Sequence, residues 1–117
     1  MYVISDELAE TGKIKRYEKK HIKEAASCFA NLMRIFMLLN SGIVLDRILH
    51  CCSFFRSEGE GVYRIGQTGI CGAKETRLYV YVRVEGEKIY KLTMGDKDSQ
   101  LDDINRCKQI VRKAKEA

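Results

Sequence analysis

Arg77-Leu78-Tyr79-Val80-Tyr81-Val82-Arg83-Val84-Glu85 is the stretch on which the fold turns. Successive side chains of a strand point to opposite faces, so strict alternation sends Leu78, Val80, Val82 and Val84 to a core side and Arg77, Tyr79, Tyr81 and Arg83 to the other. Glu85-Gly86-Glu87 supplies a tight turn into a further strand over 88–94, and Glu58-Gly59-Glu60-Gly61 is a turn leading into an earlier strand over 62–67. Three strand signals in a row read as an antiparallel meander. Between the first two, the loop 68–76 carries two glycines and no period, the mark of an exposed, mobile connection.

Upstream the period changes. From about Ile14, the residues Tyr17, Ile22, Ala25, Ala26, Phe29, Leu32, Met33, Phe36 and Leu39 recur at three- and four-residue steps, making one face of a long amphipathic helix that Asn40-Ser41-Gly42 stops. A break near Lys19-Lys20 would split it in two. The apolar segment 43–55 has no clean period and fits either a short helix or an extended crossing segment. Downstream, a last helix starts near Gln100. Ser99 suits its N-cap, Asp102 and Asp103 its positive first turn, and Leu101, Ile104, Cys107, Val111 and Ala114 its apolar stripe. The expected architecture is α+β: N-terminal helices packed on one face of a small antiparallel meander, with a C-terminal helix. The 117 residues make one domain, 1–117.

Composition bounds the function. A 45% apolar share with 32% charged residues is ordinary for a chain that folds around a core. The 21 Lys plus Arg against 16 Asp plus Glu give a net charge of +5, which favours an acidic or polyanionic partner. The most apolar run, 28–39, is interrupted by Asn31 and Arg34, too short and too polar for a membrane span, and the opening Met1-Tyr2-Val3-Ile4-Ser5-Asp6-Glu7 lacks the features of a secretory signal. A soluble cytoplasmic protein without membrane contact is expected. Cys28, Cys51, Cys52, Cys71 and Cys107 are odd in number and lack zinc-site spacing, so they read as reduced, mostly buried side chains, with no metal and no cofactor.

On the non-core side of the meander, Arg77, Tyr79, Tyr81 and Arg83 interleave cations with aromatics, and Arg64 and Lys91 alternate onto the polar side of the flanking strands. If that face is open, it suits single-stranded RNA, because guanidinium groups grip phosphates and tyrosine rings offer stacking surfaces. The same residues also make ordinary cross-strand pairs on a solvated sheet face.

Three stretches carry a family resemblance: Glu60-Gly61-Val62-Tyr63-Arg64-Ile65; Thr76-Arg77-Leu78-Tyr79-Val80-Tyr81; and Gly95-Asp96-Lys97-Asp98-Ser99-Gln100 followed by Asp103-Ile104. Over about 60–111 the chain resembles the RelE/ParE superfamily of bacterial toxin-antitoxin toxins, particularly its HigB-like branch. The resemblance implies a compact toxin whose helices flank a curved sheet, held inactive by a cognate antitoxin. It implies an endoribonuclease that cleaves mRNA, typically on the ribosome, without a metal, by attack of a ribose 2′-hydroxyl on the adjacent phosphate. That chemistry needs cations on the phosphorane-like transition state and proton transfers at two oxygens.

Carried over by position, the resemblance assigns Arg77 to the scissile phosphate, with Arg64 and Lys97 as further catalytic cations; Tyr79, Tyr81, Arg83 and Lys91 become RNA-binding residues. Asp96 and Gln100 read as ordering the strand exit. The sequence departs from the family pattern at Gly66, where many relatives carry a cation, and in the last helix, which lacks the tyrosine or histidine base of some members. Tyr79, Tyr81 and His50 remain as proton-transfer groups, although His50, in an apolar segment, reads first as a structural histidine. Two other readings stand beside the ribonuclease: a ParE-like toxin that inhibits DNA gyrase by binding it, and a binding module without catalysis.

Overall fold

The computed structural model describes residues 1–116. Its elements are β1 (Val3–Ser5), α1 (Thr11–Lys20), α2 (Ile22–Asn40), α3 (Leu45–Cys51), β2 (Phe55–Gly59), β3 (Val62–Gly66), β4 (Thr76–Arg83), β5 (Lys88–Asp96) and α4 (Gln100–Glu116). The fold is α+β, and the meander β3-β4-β5 is antiparallel throughout. Two strands extend it beyond the alternation reading. β2 pairs antiparallel with β3 across a turn in which Gly59, Glu60 and Gly61 all take positive φ, and β1 lies parallel to β5, giving the order β1-β5-β4-β3-β2. Gly61 cannot be replaced cheaply: a Cβ there would come within 2.8 Å of the Tyr81 ring, and its φ is +82°.

The long helix does break, one residue past Lys20. His21 (φ −132°) ends α1, donating its N–H to the Tyr17 carbonyl at 2.9 Å while its ring packs on Tyr17. Ala25, Cys28, Leu32, Ile35 and Leu39 of α2 and Ile48 of α3 then bury against Phe55, Ile65, Leu78, Val80, Val82, Ile89 and Met94. The apolar run 43–55 thus resolves into the short helix α3 followed by the first residue of the edge strand β2, which accounts for its mixed period. Asn31 is buried in this layer and donates to the Gly66 carbonyl at 2.8 Å. Ser27 exchanges two hydrogen bonds with the Thr68 backbone, so the 68–76 loop is anchored where it leaves β3, although most of its residues are exposed.

The N-terminal helices keep to one face of the sheet as expected, but the other face is not left open. α4 lies on the opposite face, where Cys107 and Val111 close over Val62, Tyr79, Tyr81, Tyr90 and Leu92. Its apolar stripe needed a counterpart, and the tyrosines of β4 and β5 provide it. A bulge in β5 sets both Leu92 and Thr93 against Tyr79, and Lys91 falls opposite Val80. Leu101, assigned to the stripe, is exposed, as is Val84 beyond the end of β4. Asp103, in the first turn of α4 as expected, is 1% exposed. It accepts from Lys13 Nζ of α1 at 2.6 Å and from Ser99 Oγ at 2.7 Å, with Arg106 Nη2 at 3.6 Å.

Only Cys28 and Cys107 are buried, so the cysteines are not mostly internal; Cys51 and Cys71 are exposed. Burial pushes the Cys28 and Cys107 thiols up to about 12, which keeps both protonated and inert. No helix among the described residues is long and apolar enough to cross a membrane.

Candidate nucleic-acid interface

The four residues read as one open face do not share a surface. Tyr79 is fully buried and Tyr81 is 8% exposed beneath α4, so neither ring offers a face to a base. Tyr81 stacks on Tyr90 at 5.6 Å between centroids, and Lys115 of α4 sits over its ring. Burial drives the Tyr79 phenol well above its ordinary 10, with the carboxylate of Asp103 adding to the rise and Arg77 opposing it, so Tyr79 is not a proton acceptor at neutral pH. Arg83 is exposed at the far end of β4 from Arg77. Lys91 faces the α1–α2 layer, 2.7 Å from Asp6 and 5.7 Å from the Phe29 ring centroid. The RNA-binding set Tyr79, Tyr81, Arg83 and Lys91 is therefore dispersed. His50 is exposed at the end of α3, neither a core histidine nor a neighbour of the sheet cations.

The Tyr79 hydroxyl is buried without a hydrogen-bond partner. Tyr79→Phe is expected to keep stability within about 1 kcal/mol of the parent, or to raise it, because an unpaired buried hydroxyl only adds desolvation cost. Thermal and urea unfolding check this, and a loss above about 2 kcal/mol would mean that the hydroxyl has a partner.

The cations expected at the cleavage centre do gather, at the corner where β4 starts and β5 ends. Gly66 of β3 pairs with Arg77 and Arg64 with Tyr79, which makes Arg64 and Arg77 diagonal neighbours on one face. Gly66 has a structural use. With no side chain there, the Arg77 guanidinium lies over the strand, 3.7 Å from where a Cβ would stand. Arg77 Nε donates to Gln100 Oε1 at 3.1 Å, which fixes the plane of the guanidinium from the first residue of α4. Gln100 orders the corner through its bond to Arg77 rather than through the turn alone. Asp96 orders the strand exit by accepting from the Asp98 and Ser99 N–H groups at 2.9 and 3.1 Å. Its carboxyl is held below the ordinary value: partial burial works against this, but the Ser99 N–H and the Lys74 ammonium outweigh it.

Lys97 lies just past β5, its N–H donating to the Glu75 carbonyl at 3.1 Å. One oxygen of Glu75 stands between the two cations, 3.9 Å from Arg77 Nη2 and 3.6 Å from Lys97 Nζ. On the other side, Glu58 Oε2 lies 3.9 Å from Arg64 Nη1, buried and with no hydrogen bond. Sequence reading missed both carboxylates. Glu58 was placed in a turn because β2 went unseen, although the Gly59-x-Gly61 pattern signals a hairpin with two arms. Glu75 sits in an aperiodic loop that carries no such signal.

No family model, curated protein or solved structure matches the chain.

Chemically, the corner offers two cations spaced around a carboxylate oxygen, with a third cation beside them. The ion pairs are long and partly exposed, of the kind worth at most about 1 kcal/mol, so a phosphate oxygen can displace the Glu75 carboxylate at small cost. No group of three or more His, Cys, Asp or Glu side chains that could hold a metal ion occurs among the described residues.

Proposed function

We propose that this chain is the toxin of a type II toxin-antitoxin pair, a metal-independent endoribonuclease that cleaves mRNA and is held inactive by a cognate antitoxin. The observation that carries the reading is the Glu75 oxygen shared by Arg77 and Lys97, because it marks a position where an anionic oxygen is already accommodated by two cations. A non-bridging phosphate oxygen takes that position in the substrate. The fixed guanidinium of Arg77 and the ammonium of Lys97 then oppose the charge that grows on the phosphorane, and Arg64 lies within the same face. Glu58, beside Arg64, supplies the carboxylate for the 2′-hydroxyl proton, in place of the histidine or tyrosine absent from α4. Helices on both faces of the sheet agree with the architecture that the resemblance implies.

Induced expression is expected to arrest growth and to leave new 5′ ends in cellular mRNA, read by primer extension. Arg77→Ala should relieve the arrest and remove those ends. A folded Arg77→Ala protein that still arrests growth and still cuts mRNA would overturn the assignment.

A second reading, inhibition of DNA gyrase by binding, draws on the balance of charge at the corner. Arg64, Lys74, Arg77 and Lys97 are each opposed there by carboxylates, which leaves little net field for a polyanion. Loss of gyrase supercoiling on adding the purified protein, with mRNA left intact, would select this reading.

A further inference from the structure

With the corner neutralised by its own carboxylates, the positive surplus of the chain has to stand elsewhere. Its densest run of unpaired cations among the described residues is on α1 and the first turn of α2. Lys15, Arg16, Lys19, Lys20 and Lys23 are all exposed, and none of them is ion-paired among the described residues. Within α1, the spacing of Lys15, Arg16, Lys19 and Lys20, at i, i+1, i+4 and i+5, puts these four on one side of the helix, and Lys23 follows on the first turn of α2, past the break at His21. The acids of this segment, Glu18 and Glu24, offset only part of this charge: against five cations they are two, and neither is within salt-bridge distance of any of the five. Lys13, the remaining cation of α1, is drawn inward to Asp103.

The patch lies on the outer side of the helix that packs beside the corner. Tyr17, on the inner side of α1, hydrogen-bonds through its hydroxyl to Thr76 Oγ1 at 2.9 Å. Thr76 immediately precedes Arg77 and pairs with Asp96. Successive rows of cations are one helical turn apart, about 5.4 Å, comparable to the separation of neighbouring phosphates along a nucleic-acid strand. We infer that this face of α1 is a docking surface for the phosphate backbone of RNA, engaging a segment outside the dinucleotide held at the corner. The inference rests on the reading of the corner as RNA-directed.

Charge and hydropathy together favour RNA over other acidic partners. Ile22 is the exposed large apolar residue of this stretch, so a lipid surface finds no apolar face to bury. A protein interface of this size is organised around buried aromatic or aliphatic anchors, which the patch does not present. Flexible, hydrated ammonium groups in rows suit a phosphate backbone, which is read by charge and not by shape.

The test uses the full chain and an RNA hairpin methylated at its 2′-hydroxyls, which removes the attacking group and lets binding be read without cleavage. Fluorescence anisotropy is measured between about 50 and 200 mM salt, a range over which phosphate-directed binding falls steeply. The variant K15Q/R16Q/K19Q/K20Q/K23Q should bind at least about a hundredfold more weakly at the low-salt end. Its log–log salt slope should be shallower by about 4, from five lost contacts at about 0.7 to 0.9 each. Far-UV circular dichroism should match the parent, since every changed side chain is exposed. An unchanged slope and affinity in the folded variant would overturn the inference. So would binding of the parent to poly-glutamate or to vesicles of phosphatidylcholine and phosphatidylglycerol as tightly as to the RNA. RNA binding lost in the variant, by a parent protein that leaves cellular mRNA uncut, would sustain this inference while sinking the cleavage reading. Cut mRNA with undiminished binding by the variant would do the reverse.

Discussion

Replacing Asp103 with alanine is expected to destabilise the protein by about 3 kcal/mol, a shift of more than a hundredfold in the folded-to-unfolded ratio. The carboxylate is 1% exposed, and three groups converge on it: the Lys13 ammonium, the Ser99 hydroxyl and, more distantly, the Arg106 guanidinium. Removing it leaves Lys13, itself 31% exposed, without its partner, and strips the Ser99 hydroxyl of its acceptor. The remaining exposure of Lys13 lets water soften the loss, which keeps the figure at the low end for a broken buried pair. Urea unfolding at neutral pH measures it. The double variant Lys13→Met with Asp103→Leu should recover most of the loss, because apolar side chains of similar size replace a charged pair without leaving either charge stranded. A single-variant loss below about 1 kcal/mol would show that the pair is not buried as described.

The second large effect comes from Gly95→Ala. Gly95 sits in β5 opposite Arg77, on the face covered by α4, and a Cβ added there would run into the Asp103 carboxylate and stand 2.7 Å from Ser99 Oγ. Ser99 Oγ donates to Asp103, and Asp103 ties α4 to α1 through Lys13, so relief of the clash requires α4 to move off the sheet or the Asp103–Lys13 contact to open. An expected loss of about 2 to 3 kcal/mol follows from overpacking, with the upper end set by disruption of the ion pair. The backbone of Gly95 does not have the positive φ that alanine resists, so the whole effect is steric. Unfolding of Gly95→Ala in the Asp103→Ser background checks the cause: with the carboxylate shortened, the added methyl should cost clearly less than in the parent. An equal cost in both backgrounds would remove Asp103 as the obstacle.

The meander and its final helix are legible in sequence because each carries its own period: two for the strands from Val62 onward, and three to four for Cys107 and Val111 in α4. What sequence does not disclose is which side α4 takes. Tyrosine is the reason, since it is equally at home on a solvated face and in a core. Arg77-x-Tyr79-x-Tyr81-x-Arg83 therefore reads as an open surface although its middle is buried. The strand β1 is too short to announce itself, and nothing local encodes its parallel pairing with residues 88–90. At the corner, Arg77, Arg64 and Lys97 stand out as cations on or beside strands. Glu75 and Glu58 do not, because a loop carboxylate becomes part of a site only through a fold that brings it there. For the same reason the net charge of +5 pointed to the sheet, whereas burial and ion pairing leave the unpaired cations of α1 exposed.

The parallel pairing of β1 with β5 bears on the order in which the molecule can assemble. Residues 3–5 find their strand partner only at 88–90, and Lys13 finds Asp103 across ninety positions of chain. Both contacts close very long loops, the class of contact that slows folding most and tolerates no partial product. A growing chain therefore leaves β1 without its strand partner until residues 88–90 have been made, and Lys13 without Asp103 until α4 follows. Assembly of the Arg77 corner waits on the same event, because Gln100, which aligns the guanidinium, belongs to α4.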